Sequence, residues 1–447
     1  MLTTDHSSVA VLGVPFHNVT MDETVAFIDD KIQSGGFHQI ATANVDFLMN
    51  AIRDPELQAI LCSCELVIAD GMPILWASRM MGASLKERVC GVDLVPRVAE
   101  LCARRGYSLF LLGASEENSA RAAEKLEERF SGLRIAGRYS PPVKPLDQMN
   151  HDEILRRVNS ARPDVLLVAM GNPKQEKWLA MHRYKLNVPI AIGVGGSIDF
   201  MAGAVSRAPK WMQHSGLEWA YRMAQEPKRL MQRYLGDAIG VARHLPSQVM
   251  ANMMQPRHKT QSGLFTDREG NTFILSVYGD FTGEILSEFN ALSQEAMRSG
   301  MNLVLNLSQT SYLGPDALGS LVTLSSQRRE YQHLWLAELP AHLLRVLHTA
   351  RLGKLFMTTT SVNDALYRTA QSEQKLLTDM QQHTSSLAVS GPGYPGPARV
   401  QIRAELLQNV CQNLTVESSM QPPAVPAGFS HEYELRPQKY ELRPQIG

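Results

Sequence analysis

The chain has 447 residues, and its Lys and Arg together number 44, the same as its Asp and Glu, so the formal net charge is zero. That length exceeds one ordinary domain of roughly 100–200 residues and predicts two or three units. The charge balance excludes a globally basic nucleic-acid binder and leaves any electrostatic specialisation to local segments. The cysteines Cys62, Cys64, Cys90, Cys102 and Cys411 are odd in number and lack paired zinc spacing, which fits free thiols in a reducing compartment. The opening MLTTDHSSVAVLG lacks a leader pattern, and no window reaches the roughly 18 apolar residues of a spanning helix, so the expectation is cytoplasmic.

From the N-terminus to about residue 245, short apolar runs alternate with helical patterns. HQIATANVD, ELVIADG, YSLFLLGAS, VLLVAMGNP and IAIGVGGSID read as strands, with stretches such as ENSARAAEKLEERF as helices between them. The alternation predicts an α/β unit with a Rossmann-like, mostly parallel sheet and flanking helices, whose ligands sit beyond the carboxyl ends of the strands. Residues 246–265, rich in Pro, Ser, Gln and Gly, read as a linker. TFILSVYGDF, NLVLNLS, LWLAEL and LFMTTT then alternate with helical patterns to form a second small α/β unit over 266–370. Residues 371–447, rich in Gln, Ser, Pro and Gly, read as a disordered tail ending in two copies of YELRPQ, to which no function is assigned.

The first unit lacks both the G-x-G-x-x-G dinucleotide fingerprint and a Walker lysine loop. It offers acids after strands, Asp46 in TANVDF and Asp70 in VIADGMP, with Thr42 and Asn44 beside them. Between an apolar strand and a glycine, a partly desolvated Asp70 would have a raised pKa and could take a proton from a sugar hydroxyl. The alternative is a turn aspartate bonding its own backbone. In GVGGSIDFMAG, Gly193, Gly195 and Gly196 would let amides approach an anion, with Ser197 and Asp199 capping the next helix. The polar knot of Asn172, Lys174, Gln175 and Glu176 after VLLVAM falls where a ligand cleft would lie.

Between Met201 and Lys259, Arg207, Lys210, Arg222, Lys228, Arg229, Arg233, Arg243, Arg257 and Lys259 face only Glu218, Glu226 and Asp237. Over 228–243 the apolar residues Leu230, Met231, Tyr234, Leu235, Ala238, Val241 and Ala242 recur at helical spacing. Such a basic amphipathic helix, within an appendage over 215–245, suits an anionic membrane surface. A helix packed on its own domain with a solvated basic face would read the same way.

TANVDFL, ADGMP, RVCGVDL, GNPKQEKW, GVGGSIDFMAG, SRAPKW and GLEWAYRMAQEPKRLMQRYL together resemble the WecG/TagA/CpsF glycosyltransferase family, in the family's order and over nearly all of residues 8–245. The resemblance implies an inverting, metal-independent transferase without cofactor. It would move a sugar (N-acetylmannosamine, its uronic acid or glucose) from a UDP-sugar onto an undecaprenyl-diphosphate-linked sugar at the inner face of the cell membrane. It implies Asp70 as general base, Thr42 and Asn44 as polar partners, Gln175 at the donor, and Arg222, Arg229 and Arg233 on diphosphate and membrane. Arg88 and Arg207 join Gly193, Gly195 and Asp199 as candidate substrate contacts, Arg88 with Arg79 and Lys86 being the cations open to a uronate. An oxocarbenium-like displacement needs one base opposite the leaving group, and arginines can neutralise the departing diphosphate. No Asp-x-Asp metal motif occurs over 1–245. Related enzymes can self-associate, so a homo-oligomer is compatible with the family.

TFILSVYGDFTGE and NLVLNLSQTSYLGPDALGSLVTL resemble a STAS domain, which implies a protein-binding module. Where such domains carry a phosphorylatable serine this chain has Asp316, which would either lock one binding state as a fixed carboxylate or, the favoured expectation, cap a helix beginning at Ala317. The alternative to an enzyme is a catalytically idle scaffold acting through that module.

Overall fold

The computed structural model describes residues 7–214, 217–225, 227–257, 262–329 and 331–389. In the first unit the strands are β1 (Ser8–Val11), β2 (Val14–His17), β3 (His38–Ala43), β4 (Leu66–Ala69), β5 (Ser108–Gly113), β6 (Arg134–Tyr139), β7 (Val165–Ala169) and β8 (Ile190–Gly193). Its helices are α1 (Met21–Ser34), α2 (Val45–Arg53), α3 (Pro55–Ser63), α4 (Met72–Met80), α5 (Gly91–Arg105), α6 (Glu116–Arg129), α7 (His151–Ala161) and α8 (Lys174–His182). There follow α9 (Ser197–Ala202), α10 (Lys210–His214), α11 (Glu218–Gln225) and α12 (Pro227–Met253).

Strands β3 to β8 form one parallel sheet in the order β4-β3-β8-β7-β5-β6, while β1 and β2 form a separate antiparallel hairpin. Alternation along each strand divides the apolar side chains between two helical layers. Val165 and Leu167 of β7 enter one core with Ile28, Val98 and Leu126, whereas Leu166 and Val168 enter another with Val158 and Trp178. Burial on both faces explains why β4, β5, β7 and β8 are nearly continuous apolar runs.

The second unit contains β9 (Gly263–Glu269), β10 (Thr272–Phe281), β11 (Asn302–Asn306), β12 (Thr310–Leu313), β13 (Leu334–Ala337) and β14 (Met357–Thr359). Its helices are α13 (Gly283–Arg298), α14 (Pro315–Gln327), α15 (Ala341–Thr349) and α16 (Val362–Val389). The parallel order is β12-β10-β11-β13-β14, with β9 antiparallel on β10.

Three expectations change. The proposed linker over 246–265 is helical up to Met253, because α12 runs on through Pro246 and buries Gln248, Val249, Ala251 and Asn252. The proposed tail begins as helix, since α16 continues to Val389; residues 390–447, with Cys411 and both YELRPQ copies, lie outside the described residues. The third concerns α14, which starts at Pro315 with Gly314 as an N-cap lacking any side-chain bond. Asp316 instead accepts from Thr282 Oγ1 at 2.7 Å and ties the end of β10 to the helix. The other four cysteines are free and buried.

Gly113 ends β5 at φ +101°, and a Cβ there would lie 2.5 Å from the Ala169 carbonyl oxygen. Gly113→Ala is therefore expected to cost about 2 kcal/mol or more, read as a lowered midpoint in denaturant unfolding.

Candidate active site

The neighbouring strands β4, β3 and β8 end together and deliver Asp70, Thr42 and Gly193 to one edge of the sheet. Thr42 Oγ1 donates to the Gly193 carbonyl at 2.8 Å, and the Asp70 amide donates to the Ala43 carbonyl at 2.9 Å. Asp70 Oδ2 accepts from the Gly91 amide at 3.3 Å, at the start of α5. Residue 91 has to be glycine for this approach: a Cβ there would lie 2.7 Å from Ser197 Oγ and 3.5 Å from Thr42 Oγ1. The Asp70 loop, the Thr42 loop and the turn through Gly195 thus converge. Asn44 caps α2, its Oδ1 accepting from the Phe47 amide at 3.4 Å.

Asp70 is half-buried as a residue, yet its carboxyl is enclosed by protein. That burial raises its pKa above the ordinary aspartate value, against the pull of the Gly91 amide, the Cys90 thiol and the Arg88 charge. A carboxyl raised in this way holds a proton more strongly than a solvated aspartate does.

The polar knot serves the site from behind. Gln175 and Glu176 are each 1% exposed, and both fill the space left by the absent side chain of Gly193. Gln175 Oε1 accepts from the amides of Gly171 at 3.1 Å and Gly195 at 3.2 Å, while its Nε2 donates to Glu176 Oε1 at 2.7 Å. Glu176 Oε2 accepts from Asn172 Nδ2 at 2.9 Å, and Asn172 Oδ1 from Asn50 Nδ2 at 2.8 Å. Gln175 is thus a clasp between two loops. The Gly195 amide expected to meet an anion is committed to that clasp, and Gly193 is a strand residue paired with Ala41 and Val168. Nor do Ser197 and Asp199 cap α9: Gly196 occupies the cap with no side-chain bond, and Asp199 Oδ1 accepts from Asn118 at 2.7 Å.

The cations gather at two places. Arg88 donates to Glu218 at 2.8 Å, bringing α11 over the Asp70 loop. Arg207 grips Asp93 with two nitrogens and reaches Glu218 at 3.6 Å. Burial acts to raise Asp93, but the hydrogen bonds from Arg207 hold it below the usual range. The Arg222 guanidinium stacks 5.1 Å over Phe200, with Nη2 3.8 Å from where a Gly196 Cβ would be. Arg233 lies elsewhere, its charge acting on Asp46 and Asp237 where α12 crosses α2. Burial is the first cause raising Asp237, to about 6, and the like charge of Asp46 adds to it. The side chain of Arg229 falls outside the described residues.

Sequence reasoning left three residues without a role, Cys90 beside the base and Glu218 and Asp93 as holders of arginine, and it read Glu176 as cleft lining where the structure buries it. Their only signal is proximity in sequence to residues already singled out. Burial lifts the Glu176 carboxyl from 4.5 to about 7, opposed by the Gln175 and Asn172 amides and aided by Asp46. The folded chain then binds this proton more tightly than the unfolded one, so stability declines as pH rises from about 4.5 through 7 and levels off beyond. Between about pH 5 and 8, wild type is expected to lose roughly 2–3 kcal/mol relative to Glu176→Gln, measured by denaturant unfolding across that range. Parallel curves would remove Glu176 as the titrating group.

The chain is similar to known proteins over both of its units. The family described as "Glycosyl transferase WecG/TagA/CpsF family" matches residues 9–255, and that described as "Mlab, STAS domain" matches 264–359. The N-acetylglucosaminyldiphosphoundecaprenol N-acetyl-beta-D-mannosaminyltransferase of Bacillus spizizenii is 32% identical over 190 residues, 42% of this chain and 72% of that protein. The protein of the same name from Staphylococcus aureus strain MW2 is 29% identical over 226 residues, 50% of this chain and 87% of that one. A solved anti-sigma factor antagonist from Mycobacterium paratuberculosis is similar over 26% of this chain and 99% of its own, at 16% identity and a TM-score of 0.24. With the convergent loops all inside a match that spans more than half of its length, the chain belongs to the WecG/TagA/CpsF family and is a glycosyltransferase carrying a STAS domain.

Proposed function

We propose that the chain transfers an N-acetylmannosamine-type sugar from a UDP-sugar to a sugar carried on undecaprenyl diphosphate, with inversion and without a metal ion. The observation that carries this reading is the meeting of Asp70, Thr42 and Ser197 around Gly91, beneath Arg88. The named reaction of the relatives supports the lipid-linked acceptor and the mannosaminyl donor. Asp70 takes the proton of the acceptor hydroxyl as its oxygen attacks the anomeric carbon from the face opposite the diphosphate. Thr42, bonded to the Gly193 carbonyl, keeps the loops that flank Asp70 in register. Arg222 at the Gly196 turn, with Arg88 and Arg207 released in part from their carboxylates, neutralises the departing UDP; planar guanidinium groups suit paired phosphate oxygens. Asp199 and Asn44 offer acceptors to sugar hydroxyls at the rim.

A polyprenyl acceptor lies in the bilayer, and the protein's route to it is its appendage. Among the described residues no helix is long and apolar enough to cross a membrane. On α12, Met231, Leu235 and Ile239 are 57%, 61% and 60% exposed at a spacing of four residues, and Trp211 and Trp219 are also exposed nearby in sequence. An outward apolar stripe on a helix whose sequence carries Lys228, Arg229, Arg233 and Arg243 fits peripheral binding to the anionic inner membrane surface.

Asp70→Asn is expected to lower transfer about a thousandfold while leaving UDP affinity within a few-fold, in a radiolabel assay with UDP-sugars and prenyl-diphosphate-linked acceptors. Wild-type turnover should survive EDTA, and its acid limb should lie above the ordinary aspartate range; undiminished turnover in the mutant removes Asp70 from the mechanism. In flotation with anionic vesicles, Leu235→Glu is expected to reduce binding about tenfold, and unchanged flotation would place the membrane contact elsewhere.

A further inference from the structure

The STAS domain has one face that is closed within the chain itself. A Cβ on Gly319 of α14 would lie 2.1 Å from the Ser8 carbonyl oxygen of β1, and Thr323 Oγ1 is 3.2 Å from Ser8 Oγ. Ala10 of β1, Cys62 of α3 and Ala251 of α12 lie in the same apolar cluster as Leu318, Leu321 and Phe281. The core of the second unit therefore continues into the first.

Two glutamine side chains close the polar groups around this contact. Gln255, 6% exposed, accepts from the Leu313 amide at 2.8 Å and donates to the Leu313 carbonyl at 3.1 Å, pairing with the end of edge strand β12 as a neighbouring strand would. Gln248, 2% exposed, does the same to the hairpin, accepting from the Leu12 amide at 2.9 Å and donating to the Ala10 carbonyl at 3.0 Å. Asn252 donates to the Met81 carbonyl at 2.7 Å. Gln248 and Asn252 lie in the last turns of α12, and Gln255 follows its end. A face with a continuous apolar centre and satisfied buried amides is built for permanent contact, unlike the wet, polar surface of a transient one.

The same helix runs on to α2, whose cap Asn44 follows Thr42 and Ala43 at the end of β3. At roughly 1.5 Å per residue, α12 extends about 40 Å, and its first half carries Arg233 and Asp237 against Asp46 of α2. Gly240 sits where a Cβ would meet the Met49 sulfur. We infer that the partner of the STAS domain's α14 face is the transferase of the same chain, and that the domain acts as a brace fixing α12 and, through its packing on α2, the Asn44 end of that helix beside Thr42. The inference rests on the transferase reading for its catalytic consequence, but not for the mechanical one.

The test uses the full chain with Gly319→Ala, which favours helix in α14 but drives a methyl into the Ser8 carbonyl, and with Gln255→Ala, which removes the clamp on β12. Both are expected to speed hydrogen exchange along α12 as far as residues 233–240, and to raise KM for a prenyl-diphosphate-linked acceptor about three- to tenfold with a smaller change in kcat. Faster exchange confined to α14 and the hairpin, or an unchanged KM in an otherwise active enzyme, overturns the brace. If wild type transfers no sugar, the transferase reading fails by itself, and exchange in α12 still decides the mechanical claim. A separate protein that binds wild type through α14, mapped by protection of that helix, would also overturn it.

Discussion

The site depends on a carboxylate with almost no access to water. Glu176 holds the side-chain amides of Gln175 and Asn172, and Gln175 in turn holds the amides of Gly171 and Gly195. The side chains of Gln175 and Glu176 occupy the space left because residue 193 has no side chain. Two loops from separate strands are thereby fixed to each other before any substrate arrives, so the turn beside Asp70 needs no ordering on binding. The buried charge has a cost in stability, which ordinary core residues would avoid. A network of this kind is best understood as holding geometry.

Around that fixed point the charges are arranged in two groups. Over the Asp70 loop, Arg88 and Arg207 share Glu218 and Asp93, giving a near-neutral cluster that keeps its cations oriented until a stronger anion competes for them. At the start of α2, two acids face each other, and Arg233 with Arg53 offsets their repulsion. A diphosphate entering the first group would exchange one set of charge-assisted bonds for another. The net gain from such an exchange is smaller than from binding to bare cations, but the orientation is already set.

The parallel sheet was legible because strands buried on both faces are mostly apolar, and each of the five runs singled out in the first unit became a strand. The hairpin of β1 and β2, strand β6 and edge strand β9 were not, since they are short or exposed: β9 leaves most of its residues in solvent, and β6 is nowhere fully buried. The placement of Asp70 just after β4 and of Thr42 near the carboxyl end of β3 was legible from the strand pattern. The inward role of Gln175 was not, because a polar residue after a strand reads as cleft lining whether it points out to ligand or back into the protein. Residues 246–257 failed for a related reason. Their glutamines and asparagine look like linker composition, and only the distant hairpin and β12 supply the backbone groups that make them interior.

Helix α12 carries two apolar faces, and this resolves what one wheel could not. Leu230 and Val249 are buried, and Val241 packs on the core with them, while Met231, Leu235 and Ile239 look outward. A helix held on its own domain and a helix offered to a membrane were alternatives in the sequence, yet the two faces allow both at once. The inner face needs a rigid support to keep the outer one presented in a fixed direction. Clamping the far end of the helix between the hairpin and the STAS domain supplies that support where the transferase sheet itself has ended, which gives a physical reason for a binding-type fold to be fused to an enzyme.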